Sequence, residues 1–161
     1  MSYSRHLALA LALLLAGCGF QLVGSLGEID VTPPVYISAA DRYTPFYLGV
    51  EQRLRNSGIA TTEDLNAATS ILAIRRDDTG QRVLSVSANN VPREYEVFYT
   101  VSYDLTVAGN ITAVATDLTL TRDYTWNESQ VLGKAREERI IRDDLATLLI
   151  DDFVRRAAGQ R

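Results

Sequence analysis

The sequence predicts an α+β fold: a mainly antiparallel sheet of four to five strands with two helices packed on one face. Residues 94–107 alternate apolar and polar side chains, the period-two pattern of a long strand with one buried face. A turn signal, Gly109-Asn110, follows at once, and a second strand-like run returns from it. Apolar residues at helical spacing occur before this run of strands and after it, not between successive strands as in a parallel βαβ fold.

Taken in order, the chain opens with Arg5 and His6, an apolar stretch over residues 7–15, and Leu15-Ala16-Gly17-Cys18. A basic start, an apolar run of roughly 7–15 residues and small residues at the cut describe a secretory signal. Small residues leading straight into cysteine make it a lipobox. Residues 1–17 are expected to be removed as a lipoprotein signal peptide, and Cys18 to carry diacylglycerol on its thiol and an acyl group on the new amino terminus. The apolar stretch is shorter than the roughly 20 residues that cross a bilayer, so the expected anchor is lipid rather than a helix. Several acyl chains give stable attachment where one is marginal. Gly19 stands where an aspartate would favour retention in the inner membrane, so the expected location is the periplasmic face of the outer membrane.

Residues 18–32 read as a lipidated tether and residues 33–161 as one domain. Pro33-Pro34 imposes extended backbone ahead of Val35-Tyr36-Ile37-Ser38, the first strand. Thr44-Pro45 supplies an N-cap and an N1 proline, and Gly58 a stop, for a helix over Pro45–Asn56 whose Phe46, Val50 and Leu54 share one face. Residues 70–76 and 82–88 read as two strands joined by a turn at Asp77-Asp78-Thr79-Gly80. On the long strand Tyr95, Val97, Tyr99, Val101, Tyr103, Leu105 and Val107 form the apolar face; its tyrosines are expected in the core rather than as a binding strip. The return strand, over residues 111–124, carries Val114, Leu118, Leu120 and Tyr124 on one face.

A last helix is expected over residues 130–157, with Ile141, Leu145, Leu148, Leu149 and Phe153 as its apolar stripe and Ile140, Ile150 and Val154 on a second flank. The second flank packs on the first helix or meets a partner. The doublets Asp143-Asp144 and Asp151-Asp152 resemble acid/base or metal carboxylates, but adjacent helical residues point some 100° apart and do not converge on one atom. Solvation, or pairing with Arg139, Arg142, Arg155 and Arg156, is their expected state.

Composition narrows the chemistry. Of the chain, 47% is hydrophobic, enough for one core, and the formal charge of −4 disfavours nucleic acid. The one cysteine is assigned to lipid and the one histidine leaves with the signal. A mature chain without either loses most metal sites, Ser-His-Asp triads and thiol nucleophiles, so neither an enzyme, a metal nor a cofactor is expected. Basic residues are almost all arginine, with Lys134 the sole lysine. It lies near a helix start, where free amides and the helix dipole favour anions such as phosphates; the competing reading is an ion pair with Glu137 or Glu138.

Several short motifs, in order, resemble one family. Cys18-Gly19-Phe20-Gln21-Leu22-Val23-Gly24 is similar to the C-G-[FW]-x-L-x-G opening of LptE, the lipopolysaccharide-assembly lipoproteins. Leu54-Arg55-Asn56-Ser57-Gly58-Ile59 resembles that family's L-R-x-x-G-V, and Glu94-Tyr95 its strand-opening E-Y. Arg122-Asp123-Tyr124, then Leu132-Gly133-Lys134 with Glu137-Glu138, follow in the family's order.

The resemblance implies partners rather than a reaction: the outer-membrane β-barrel LptD, which these proteins plug and help assemble, and lipopolysaccharide, delivered to the outer leaflet. It also implies lipopolysaccharide binding through basic residues near one end of the domain. Lys134 matches such a position. The family's other basic position has no clean equivalent in Ser85-Val86-Ser87-Ala88-Asn89-Asn90, where Arg93 is the nearby candidate. Two rival readings are a lipoprotein activator of a peptidoglycan synthase and a transport-auxiliary lipoprotein of a lipid-shuttling system.

Overall fold

The computed structural model describes residues 29–158; the signal, Cys18 and most of the tether lie outside the described residues. Strand β1 is Val35–Ser38, helix α1 Pro45–Asn56, β2 the short Thr61–Thr62, β3 Ser70–Val86, β4 Pro92–Val107, β5 Asn110–Thr125 and helix α2 Val131–Ala158. Single 3₁₀ turns at Leu65–Ala67 and Glu128–Gln130 precede β3 and α2. The sheet order is β2-β1-β3-β4-β5. β3, β4 and β5 form an antiparallel meander, while β1 runs parallel to both β2 and β3. Parallel neighbours require a crossover, and α1 supplies it.

Helix α1 starts as its sequence dictates. Thr44 has extended backbone, its Oγ1 accepts the Tyr47 N–H at 3.2 Å, and Pro45 takes the first turn, where a missing N–H costs nothing. Gly58, at φ 73°, supplies the left-handed residue just past the end. Phe46, Val50 and Leu54 are buried as their spacing requires.

The alternating face of β4 is the floor of the core. Val97, Tyr99, Val101, Tyr103 and Leu105 are buried, with Tyr95 and Val107 packed at the margins. On β5, Leu118 and Tyr124 are buried and Leu120 packs against the core; the Val114 side chain lies outside what the structure describes. Phe153 of α2 makes edge-on contacts with Phe46, at 6.2 Å between centroids, and with Tyr103, at 5.2 Å, tying both helices to the sheet. Ile29 is already buried, and Thr32 exchanges two hydrogen bonds with Ser70 Oγ, so packing begins ahead of β1.

Three expectations need correction. Asp77 to Gly80 do not turn: β3 is one strand of 17 residues, with Asp77 opposite Val101 and Gly80 opposite Phe98. The long β4 offers a continuous partner, a register shift between Ile74 and Arg76 absorbs the irregularity, and the Asp77 carboxylate accepts the Thr44 hydroxyl. At Gly80 a Cβ would stand 2.8 Å from Phe98 Cζ, so the glycine makes room for a ring rather than for a turn. The hairpin between β4 and β5 turns at Ala108-Gly109, both at positive φ (48° and 79°), one residue earlier than Gly109-Asn110 suggests.

The apolar stripe of α2 is also narrower than expected. Ile141, Leu145, Leu149 and Phe153 are buried, whereas Leu148 and Ile140 remain 46% and 52% exposed. On the second flank Ile150 and Val154 do pack inside the domain. Gly49 of α1 admits this close approach, because a Cβ there would lie 2.2 Å from Ile150 Cδ1. Arg53 and Asp151 add an ion pair of 2.5 Å between the helices, both side chains about one-third exposed or less.

Candidate functional site

Three aromatic side chains gather where β4 begins, β5 ends and α2 starts. Tyr95 and Tyr124, opposite each other across the β4–β5 ladder, stack at 5.7 Å with 18° between planes. Trp126, just past the end of β5, meets Tyr95 edge-on at 5.7 Å. The Tyr124 hydroxyl donates to Gln81 at 2.7 Å. Burial, followed by the field of Glu138, pushes that hydroxyl up to about 12, so it stays protonated at physiological pH.

Both basic candidates lie at this end. Lys134, in the first turns of α2, is held between two partners: its Nζ bonds Glu137 at 2.7 Å and stands 6.0 Å from the centroid of the Tyr124 ring. Its side chain is only 16% exposed. The ion pair with Glu137 is therefore present, and an incoming anion would have to share or displace it. Arg93 is exposed, and its carbonyl accepts the Trp126 N–H at 2.7 Å. With Ser87, Asn89, Trp126 and Asn127 it lines an open depression of about 470 Å³. Lys134 and Arg93 are thus linked through Tyr124, Tyr95 and Trp126, on one end of the domain.

Apolar side chains surround these cations. Val83, Leu84 and Val86 at the end of β3 are each about half exposed, Val131 likewise, and Leu132 is 89% exposed. Among the described residues Arg136 and Arg139, exposed on the first half of α2, make no ion pair. The end as a whole offers cations, amide and hydroxyl donors, aromatic faces and loose aliphatic groups. That combination suits an amphipathic anion. Among the described residues no cluster of His, Cys, Asp or Glu could hold a metal.

Three of the four doublet carboxylates form ion pairs with arginines, while Asp143 is exposed and makes none among the described residues. Asp152 binds Arg155 and Arg156, as helical spacing suggests; Asp144 instead pairs with Arg122 of β5, and Asp151 with Arg53 of α1. Cys18, the lipidation candidate, lies outside the described residues. The aromatic cluster escaped sequence reasoning because it needs the β4–β5 register and a residue beyond the strand end; the lone tryptophan was its one available signal.

This arrangement stands on a fold with known relatives. Residues 32–157 match the model of the family described as LptE: Lipopolysaccharide-assembly. The chain belongs to the LptE family. It is 25% identical over 152 residues to the LPS-assembly lipoprotein LptE of Yersinia enterocolitica, covering 93% of this chain and 73% of the relative. It is 26% identical over 160 residues to that of Pectobacterium atrosepticum, covering 93% and 82%. Among solved structures, the solution structure of an uncharacterized lipoprotein B from Nitrosomonas europaea superposes with a TM-score of 0.68 at 25% identity, covering 85% of this chain and 88% of that one. The rare lipoprotein B of Shewanella oneidensis shares the fold, with a TM-score of 0.61 at 24% identity, covering 73% and 87%. LptE proteins are non-enzymatic lipopolysaccharide-assembly lipoproteins of Gram-negative bacteria. No helix among the described residues is long and apolar enough to cross a membrane.

Proposed function

We propose that this protein is anchored by lipid on Cys18 to the periplasmic face of the outer membrane, where it plugs and helps assemble the LptD β-barrel and contacts lipopolysaccharide directly. Family membership supports the assembly role. The single observation that supports direct binding is the end formed by Lys134, Arg93 and their aromatic bridge, rimmed by Val131 and Leu132. Lipid A joins phosphates to acyl chains, and this end sets cations beside exposed aliphatic groups. The surface elsewhere suits a plug: charges of both signs are interspersed and several are paired, as on Arg75–Asp104 and Arg82–Glu96, so a polar lumen is not faced with a field of one sign.

Purification in detergent tests the assembly role. The tagged chain is expected to bring down a barrel of outer-membrane size, and its depletion to lower the amount of assembled barrel and open the permeability barrier. Recovery of a penicillin-binding protein or an inner-membrane transporter in place of the barrel would favour one of the rival lipoprotein roles.

A further inference from the structure

Helix α2 divides at Ile141. Its buried residues, from Ile141 to Ala157, all lie in the second part, which is fastened to the rest of the domain. Phe153 meets α1 and β4, Ile150 meets Gly49, and Asp144 and Asp151 pair with Arg122 and Arg53. Of residues 131–140 none is buried, and only Lys134, Glu137 and Glu138 are partly covered. Gly133 weakens the helix there without serving packing, because a Cβ would meet nothing within 4 Å. The ion pairs Lys134–Glu137 and Glu138–Arg142 run along the helix rather than to the sheet. What seats this part on the sheet is the Lys134 ammonium over the Tyr124 ring, at 6.0 Å. Helices shorter than about 12 residues are marginal without packing, and local stability follows buried apolar contact.

We propose that residues 131–140 form a hinged cap, about three helical turns that open from the sheet as one unit about Ile141, and that a ligand carrying several phosphates closes it. The second part of α2 stays fixed. Lys134 is the latch, and opening bares the Tyr124 ring, which is only 5% exposed although it stands near the end of an edge strand. The ligand's effect follows from where the two cations are carried. Lys134 rides on the cap, whereas Arg93 belongs to β4 and its carbonyl accepts the Trp126 N–H at 2.7 Å. A ligand that engages both cations ties cap to sheet; one that engages either alone leaves the cap free to open. Ligand closure rests on the direct lipopolysaccharide binding proposed above, and the hinge does not.

Amide hydrogen exchange on the full chain in detergent tests both. The first N–H groups of a helix lack intrahelical acceptors, so the comparison is between residues 135–140 and 145–157. In the free protein the first set should exchange roughly a hundredfold faster than the second. Ala135→Gly, at an exposed site, should speed exchange at 136–140 about fivefold and leave the urea midpoint unchanged. Purified lipopolysaccharide at about ten times its dissociation constant should slow exchange at 135–140 about tenfold. Arg93→Gln, compared at equal occupancy, should lose that protection while keeping the wild-type pattern when free. Equal protection along α2, or a lowered urea midpoint in Ala135→Gly, would overturn the hinge. Lipopolysaccharide that binds, as isotherms measure, yet leaves 135–140 exchanging as in the free chain would overturn ligand closure. Absence of binding would remove the direct-binding reading and closure with it, while the exchange contrast in the free chain would still decide the hinge.

Discussion

The Tyr99 hydroxyl, on the central strand β4, accepts the backbone N–H of Phe46 at the start of α1 at 3.2 Å. A helix leaves its first N–H groups without intrahelical partners, and here a side chain from the sheet takes one of them. Asp77 of β3 lies against the same hydroxyl and also accepts the Thr44 hydroxyl, so the N-cap, the edge of the core and two strands share one polar knot. Tyr99→Phe keeps the ring but leaves the buried Phe46 N–H without its acceptor, while Asp77 retains the Thr44 hydroxyl. It should destabilise the domain by about 1–3 kcal/mol, the cost of a buried group left without a partner. Urea unfolding followed by circular dichroism measures it; a loss no larger than that of an exposed substitution would remove the knot from the stability of the fold.

The same tyrosines set a pH dependence. Burial is the first cause that raises the hydroxyls of Tyr99, Tyr103 and Tyr124 above the ordinary 10.0, with Tyr124 reaching about 12. Unfolded tyrosine ionises near its ordinary value while the folded group still holds its proton. The unfolded state therefore binds fewer protons above pH 10, and stability falls with rising pH through the folded values. From neutral pH to about pH 9.5 the unfolding free energy should be level, and it should decline steadily from pH 10 to 12. Tyr99→Phe should make that decline shallower. An alkaline limb of equal slope in the variant would show that Tyr99 ionises in the folded state as it does in water.

Packing between the helices turns on Gly49 and Ile150. A methyl group at Gly49 would sit 2.2 Å from Ile150 Cδ1, so the gain in helix propensity is offset by a clash in the core. Gly49→Ala should cost about 1 kcal/mol alone. Ile150→Val removes the clashing methyl, at about 0.5–1.5 kcal/mol by itself. Together they should be less destabilising than the sum, because the new methyl fills the space the old one leaves. Strict additivity in urea melts of the four proteins would mean that the helices separate rather than touch at this point.

Much of this fold was legible because its signals are local. Alternation alone defines β4, and Thr44-Pro45 with Gly58 brackets α1. What escaped depends on partners distant in sequence. Asp77 to Gly80 has the chemistry of a turn, and only the uninterrupted length of β4 and the Thr44 hydroxyl keep it extended. Leu148 and Ile140 have core spacing on α2, but a sheet with an open edge at β5 offers no surface to cover them. At the site, the pairing of Lys134 with Glu137 follows from an i,i+3 spacing that any helix brings together. Its seat over Tyr124 does not, since that requires β5 to deliver Tyr124 beneath the first turns of α2.

The anchor has its own test. Serine cannot form the thioether, so Cys18→Ser should abolish labelling by a fatty acid in cells and leave an uncleaved or misprocessed precursor. Labelling of the variant equal to wild type would sink the lipoprotein assignment for this position.

Lys134 and Arg93 should both weaken lipopolysaccharide binding when altered, but their surroundings demand different substitutions. Replacing Lys134 by glutamate would set a carboxylate beside Glu137 and over the Tyr124 ring, so a loss of binding could follow from local repulsion. Lys134→Gln removes the charge while keeping length and polarity, and is the cleaner probe. A charge-assisted contact contributes roughly 1.5–3 kcal/mol when well formed, and part of it here replaces the existing pair with Glu137. The expected loss for Lys134→Gln is therefore about 1 kcal/mol, roughly fivefold in affinity. Arg93 is exposed and makes no ion pair among the described residues, so Arg93→Glu disturbs no neighbour and tests the depression beside Trp126 directly. Its effect should be smaller, because solvent screens it, and should shrink first as salt is raised. Glu137→Gln gives the opposite sign: releasing Lys134 from its partner should strengthen binding. Isotherms at two ionic strengths, with thermal melts to confirm the fold, separate these outcomes. Unchanged affinity in both Lys134→Gln and Glu137→Gln would leave the lysine with a purely structural role at the start of α2.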